Sequence, residues 1–274
     1  MKQILKMGID AGGTLIKIAY KEEASASLEF INFPSARMQE AVSWIMQHAP
    51  KAKVSITGGK AALLQSYLSQ NEISTIVEFD ATCSGVQYLL RDIKTAPEAF
   101  VLTNCGTGTS IHYTDPNKHY RLGGSGVGGG TLIGLSYLLT GIGDFNEIIH
   151  TAKNGNRERV DLKVSHIYEG AVPPIPGDLT ASNFGNVRLD GSNTREVADL
   201  LASVMGLVGE TVTTASVLAA GQCGVSSIVY IGSSFVGNGL LQDIVTGYTK
   251  LRGAEAVFLD HGPFSGAIGA WLSL

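Results

Sequence analysis

The chain has 274 residues, and its 20 Lys and Arg against 24 Asp and Glu leave a formal charge of −4. That mild acidity provides no basic footprint for nucleic acid, and 44% apolar with 16% charged residues excludes a disordered chain. The length suffices for one large domain or two small ones, either with a proper core. Glycine is the outlier: 34 residues, about 12% against a usual ~7%, without a collagen period, so it serves tight turns and close backbone approaches.

In chain order, Ile4 to Asp10 reads as a strand, Ala11-Gly12-Gly13 as a bend and Thr14 to Tyr20 as a second strand. Apolar runs on both sides of a Gly-Gly turn signal a hairpin. Val42, Ile45 and Met46 have helical spacing within Glu40 to His48. Lys53 to Thr57 reads as a strand, Lys60 to Ser69 as a helix with Leu63, Leu64 and Leu68 inward, Ser74 to Asp80 as a strand, and Ser84 to Ile93 as a helix. Lys94 to Glu98, which includes a proline, is the expected boundary between lobes 1–96 and 97–274.

The pattern then restarts. Ala99 to Thr103 is a strand, Asn104 to Ser110 a glycine bend and Ile111 to Thr114 a strand, echoing Asp10-Ala11-Gly12-Gly13-Thr14. Two similar lobes would present two glycine hairpins to one cleft. A glycine run from Gly123 to Gly130 leads into a helix, Thr131 to Thr140. Arg157 to Asn186 reads as irregular, and so long a loop in a compact chain is usually functional. Thr194 to Ala220 reads as a helix broken near Gly206. A strand (Ser227 to Ile231), a helix (Asn238 to Leu251), a strand (Ala256 to Leu259) and a short helix (Ser265 to Leu272) close the chain, and the mixture means α/β.

Cys83, Cys105 and Cys223 lie far apart, with no CxxC, Cys/His cluster or HExxH to suggest zinc. MKQILKMGIDAGG lacks the long apolar run and cleavage site of a signal peptide. Leu200 to Ala220 is apolar but carries Glu210 and several hydroxyls, favouring a buried helix over a membrane span. The expectation is a soluble protein of a reducing, cytoplasmic compartment.

Glycine turns bring backbone N–H groups close to an anion, and the hydroxyls of Thr14, Thr107, Thr109 and Ser110 could join the same phosphates. Asp10, at a strand end, could hold Mg²⁺ or merely bond its own backbone. Gly124-x-Gly126-x-x-Gly129 matches a dinucleotide fingerprint only formally; feeding the next helix's N-terminus toward a phosphate is the better use. No GxxxxGK[ST] exists. Glu78 and Asp80, read as strand residues, would share one face and could orient a hydroxyl and take its proton. The alternative is a helix-capping Asp80 and a solvated Glu78. Arg121 beside glycines suits an anionic substrate or stands as an exposed strand-end charge. Phe145 could stack on a base or serve the core.

These segments resemble the actin, sugar-kinase and heat-shock-70 ATPase superfamily: GIDAGGT and GTGTS as two phosphate motifs, and Ile231-Gly232-Ser233-Ser234 as an adenosine motif. More narrowly, GIDAGGTLIKI, SITGGKA, VEFDA, GTGTS, RLGGSGVGGG, DLKVSHIY, PPIPGDLTASNFG, VYIGSSF, LRG and FSGAIGA resemble the bacterial type II pantothenate kinases, from Gly8 to Ala270. The resemblance implies a two-lobed actin-like (ribonuclease H-like) α/β fold with ATP in the interlobe cleft. It implies ATP-dependent phosphorylation of the primary hydroxyl of pantothenate, with Mg²⁺, in a homodimer. Glu78 would be the base and Arg121 would bind substrate near the phosphoryl group. Asp10, Ala11, Gly12, Gly13, Thr14, Leu15, Ile16 and Lys17 would wrap the phosphates and Mg²⁺, and Thr107 would touch the phosphates. Gly129, Gly130, Thr131, Leu132 and Ile133 would meet the nucleotide; Phe145 and Ser233 would sit by adenine and ribose. Thr180, Ala181 and Asn183 would line the pantothenate pocket, with Tyr248 contributed across the dimer. Cys105, inside the second phosphate hairpin, is an oxidisable departure. A sugar or amino-sugar kinase and a non-catalytic ATP-binding regulator are the competing readings.

Overall fold

A computed structural model describes residues 4–23, 25, 27–168, 170–187 and 195–274. Three antiparallel strands, β1 (Ile4–Ala11), β2 (Leu15–Glu22) and β3 (Glu29–Pro34), are followed by α1 (Met38–His48), β4 (Lys53–Thr57), α2 (Ala61–Gln65), β5 (Glu72–Thr75) and α3 (Glu78–Leu90). The first sheet has the order β3-β2-β1-β4-β5, with β4 and β5 parallel to β1. A second antiparallel trio follows: β6 (Phe100–Cys105), β7 (Thr109–Thr114) and β8 (His119–Ser125). Then come α4 (Gly129–Thr140), α5 (Phe145–Ala152), β9 (Leu162–Lys163), α6 (Val164–Tyr168), β10 (Thr180–Ser182) and α7 (Val197–Cys223). The last elements are β11 (Ser227–Ile231), α8 (Gly239–Leu251), β12 (Glu255–Phe258) and α9 (Ser265–Leu272). The second sheet runs β8-β7-β6-β11-β12, so the weak repeat in the sequence is a repeat of topology.

Period-two alternation divides each strand between two cores. In the second sheet, Val101, Ile228 and Tyr230 join α4, α7 and α8 on one face. Phe100, Leu102, Val229 and Ile231 meet Cys83, Val86 and Leu90 of α3 on the other. In the first sheet, Met7, Ile9, Ile16 and Ile18 pack under α1, while Ala19 meets Ala267 and Ile268 of α9. Thus α9 returns to the first sheet and α3 leans on the second, and the two helices pack together between the sheets. They touch backbone to backbone. A Cβ at Gly85 would collide with the Ser265 carbonyl, one at Gly269 with the Ala81 carbonyl, and one at Gly8 with Ala267 and Trp271.

Several expectations need correction. The strand expected to reach Asp80 ends at Thr75, and Glu78 and Asp80 lie in the first turn of α3. Ile76 still pairs its N–H with the Ile56 carbonyl (3.2 Å), which explains the strand-like run, but two carboxylates complement a helix N-terminus. Consequently α3 begins six residues before the expected Ser84. Leu63 is half exposed, because α2 is only one turn long, whereas Leu64 and Leu68 are buried. The stretch 157–186 contains β9, α6 and β10. The expected helix start at Thr194 lies outside the described residues, and α7 runs unbroken through Gly206. There the missing side chain leaves room for the guanidinium of Arg157. α7 is the one helix among the described residues long and apolar enough to cross a bilayer, and 67% of its most apolar window is buried inside the molecule.

Candidate active site

The two glycine hairpins face each other. Thr14 Oγ1 and Thr107 Oγ1, one from each, stand 2.8 Å apart. The first bend closes with the Gly12 N–H on the Leu15 carbonyl (3.0 Å), and Ser35 Oγ donates to the Gly12 carbonyl (2.8 Å). The second bend is tied to α4, whose Gly129 and Gly130 N–H groups donate to the carbonyls of Gly106 and Thr107 (both 2.8 Å). Those two amides therefore serve the hairpin, and their glycines permit the close approach: a Cβ at Gly130 would lie 3.0 Å from the Thr107 carbonyl oxygen. Ser234 Oγ donates to the Gly106 carbonyl at 3.1 Å. Gly232 (φ +119°) lets the following residues cross β6 where any side chain would strike the Cys105 backbone.

Between the hairpins lies a cavity of about 450 Å³, lined by Thr14, Leu15, Lys17, Thr107, Gly129, Gly130, Ile133, Phe145 and Ser233 among others. Every one of these was expected from the sequence. Ala11, Ile16 and Leu132 instead bury their side chains completely in the core, so only their backbones could reach a ligand. Thr131 Oγ1 donates to the Gly126 carbonyl (2.9 Å), which leaves it holding the loop. Thr109 is likewise occupied: buried, it donates to the Val127 carbonyl at 2.8 Å. Cys105 is fully buried and burial pushes its thiol up, so the expected oxidisable site is shielded and protonated. Asn32, Asn146, Ser234, Val236, Pro263 and Phe264 also line the cavity. Ser234 and Phe264 lie inside quoted motifs, VYIGSSF and FSGAIGA, without having been singled out, whereas Asn32 on β3, Asn146 on α5, Val236 and Pro263 belong to no motif and reach the cavity only through the fold.

At the inner edge, Asp10 and Lys17 are cross-strand partners, Lys17 Nζ donating to Asp10 Oδ2 at 3.4 Å. Burial raises the Asp10 carboxyl above its usual range, and Lys17 only partly opposes this. Glu78 is exposed at the helix start, yet desolvation raises its carboxyl, the Asp10 charge adds to this, and Lys17 opposes both. Arg121 is exposed on edge strand β8. The register skips Leu122, since Ile111 pairs with Gly123 and His112 with Arg121, and such a bulge re-aims the neighbouring side chain.

Thr180, Ala181 and Tyr248 line a second pocket of about 450 Å³ that shares no residue with the first. Tyr248 Oη accepts from the Thr180 N–H at 3.3 Å. Behind it, Glu210 of α7 accepts from Arg157 Nη2 (2.6 Å), Thr180 Oγ1 (2.9 Å) and Asn183 Nδ2 (2.9 Å), while Arg157 Nε donates to Asp161 Oδ2 (2.7 Å). Glu210 thus ties together Arg157, Thr180 and Asn183 behind this pocket, whereas in the sequence it served only as a mark against a membrane span.

The sequence matches the Fumble family over residues 6–273. It is 45% identical to the type II pantothenate kinase of Staphylococcus saprophyticus over 268 residues, covering 97% of this chain and 99% of that protein. It is 46% identical to the type II pantothenate kinase of Bacillus cereus strain G9842 over 267 residues, 97% of each. Among solved structures, the activator of 2-hydroxyisocaproyl-CoA dehydratase from Clostridium difficile with bound ADPNP superposes with a TM-score of 0.60 at 17% identity, over 98% of this chain and 93% of that one. A ROK family glucokinase from Streptomyces griseus in complex with glucose and AMPPNP gives 0.54 at 15% identity, covering 98% of both. These two carry the fold alone, and it is the two-lobed actin-like α/β fold expected from the motifs.

Proposed function

Because the chain belongs to the type II pantothenate kinases of the Fumble family, we propose that it transfers the γ-phosphoryl group of ATP to the primary hydroxyl of pantothenate, the first step of coenzyme A synthesis. The observation that carries this is the meeting of two phosphate-type hairpins at Thr14 and Thr107 over one cavity; Glu78 is outside its lining but within the electrostatic reach of Lys17, which lines it.

In such a transfer the protein mainly positions and neutralises. The turn backbones and the hydroxyls of Thr14 and Thr107 hold the phosphates; Phe145 and Ser233 face the nucleoside end. Arg121, without an ion pair among the described residues, meets the negative charge of substrate and transferring group. Glu78 orients the alcohol and takes its proton. Asp10 suits Mg²⁺: one desolvated carboxylate with incomplete compensation from Lys17, and no cluster of three acidic, His or Cys ligands among the described residues. That donor set matches an ion held by one or two carboxylates and substrate phosphates. Bound there, Mg²⁺ would neutralise phosphate charge.

The pocket of Thr180, Ala181 and Tyr248, with Asn183 behind it, is the reading's pantothenate-side surface, completed in a cytoplasmic homodimer. Incubating purified protein with Mg-ATP and pantothenate, and detecting phosphopantothenate directly, tests the activity. Phosphorylation of hexoses and not of pantothenate would favour a sugar kinase; ATP binding without any acceptor would favour a regulator. Glu78→Gln is expected to lower turnover roughly 10²- to 10⁴-fold with ATP binding intact, and turnover within about threefold of wild type would reject the base role.

A further inference from the structure

Glu78 and Arg121 ride on two weakly fixed supports. Glu78 opens α3, whose N-cap Val77 makes no side-chain capping bond. Arg121 lies on β8, the edge strand of the second sheet, next to the Leu122 bulge. An uncapped first turn frays easily, and an edge strand is paired on one side only. The supports meet through the two residues after Glu78. Asp80 Oδ1 lies 2.9 Å from His119 Nε2, a hydrogen bond to the first residue of β8. The Phe79 ring lies 4.6 Å from the ring of His112, and His112 is the cross-strand partner of Arg121.

The strand and helix periods make this contact directional. His119 and Arg121 are two apart on a strand and share a face, so the face that holds Asp80 also presents Arg121. Glu78 and Asp80 are two apart on a helix and point to different sides. Asp80 can thus hold β8 while Glu78 is directed toward the field of Asp10 and Lys17.

We propose that Asp80 and His119 are positioning residues for the phosphoryl transfer, clasping the first turn of α3 to β8 and thereby setting the placement of Glu78 relative to Arg121. This rests on the assignment of Glu78 as the base. It gives Asp80 a role apart from both sequence readings, a shared strand face with Glu78 and a helix cap.

Kinetics on the full chain tests the clasp. Asp80→Ala and His119→Ala are each expected to lower kcat about tenfold, since misplacement of reacting groups is costly, with the KM for ATP within about twofold. The thermal midpoint should stay within about 2 °C, because a partly exposed surface contact adds little stability. The double alanine variant should lose no more than either single, both removing one contact. Asp80→Asn, which still accepts a hydrogen bond from Nε2, should recover most of the turnover. A kcat within about twofold of wild type in the alanine variants, additive losses in the double, a loss confined to the ATP KM, or a loss that follows the thermal midpoint would each overturn the proposal. Glu78→Gln is run alongside. If it keeps its turnover, the base assignment fails; if it is inactive while Asp80→Ala is normal, only the clasp fails.

Discussion

A carboxyl that must accept a proton near neutral pH works better with a raised pKa, and Glu78 has one, through desolvation first and the Asp10 charge second. The acidic limb of its kcat/KM profile should lie above the ordinary value of 4.5; a limb at or below it would contradict the assigned base. His112 moves the other way. Burial, then the charges of Arg121 and His119, lowers it from 6.5 to about 4. The unfolded chain therefore binds this proton more readily than the folded one, so its contribution is intact above 6.5 and is lost as pH falls toward 4. Denaturant midpoints at neutral and mildly acid pH should show the loss. His112→Phe should flatten it, since Nδ1 is buried without a partner. At Gly232, Ala would face both a positive φ and the Cys105 backbone, a change expected to cost more than about 2 kcal/mol in chemical denaturation.

Among the elements, α7 carries the largest electrostatic liability. Arg157 is the cation for two buried carboxylates, Asp161 and Glu210. Arg157→Met should destabilise by about 3–5 kcal/mol, because stranded charges remain behind, and Arg157→Met/Glu210→Gln should recover part of it in urea titrations. None of this network was legible in the sequence, for Arg157 and Glu210 are 53 residues apart and only the tertiary fold pairs them. The hairpins were legible, because Gly12-Gly13 and Gly106 to Gly108 interrupt apolar runs locally and fix a turn wherever they occur. The start of α3 was misread because Ile76 and Val77 continue the β-branched run of β5, and the acidic first turn looked like a strand end. Ala11, Ile16 and Leu132 were named as site residues within contiguous motifs, while the alternation of strand and helix turned their side chains to the core. The lining by Asn32 and Phe264 depends on the distant returns of β3 and the turn before α9.

On the scale of the whole molecule, the seam between α3 and α9 joins two sheets that each hold one of the facing glycine hairpins. Glycines at Gly85 and Gly269 bring the helix backbones into contact, so the seam can slide without side-chain interlocking. Adding a non-hydrolysable ATP analogue should close the two sheets on each other about the two chain crossings between them, residues 91–99 and 259–264, and reduce the radius of gyration in small-angle scattering; an unchanged value would contradict closure. Because α9 seals the face of β1 and β2 that holds Gly8 and Ala19, vectorial synthesis meets a delay. The amino-terminal sheet is made first, yet residues 265–272 reach its bare side only after some two hundred further residues have left the ribosome tunnel. Non-local closure of this kind is slow and leaves apolar surface open to aggregation in the interim. Nascent chains stalled before Ser265 should therefore recruit chaperones through that uncovered side.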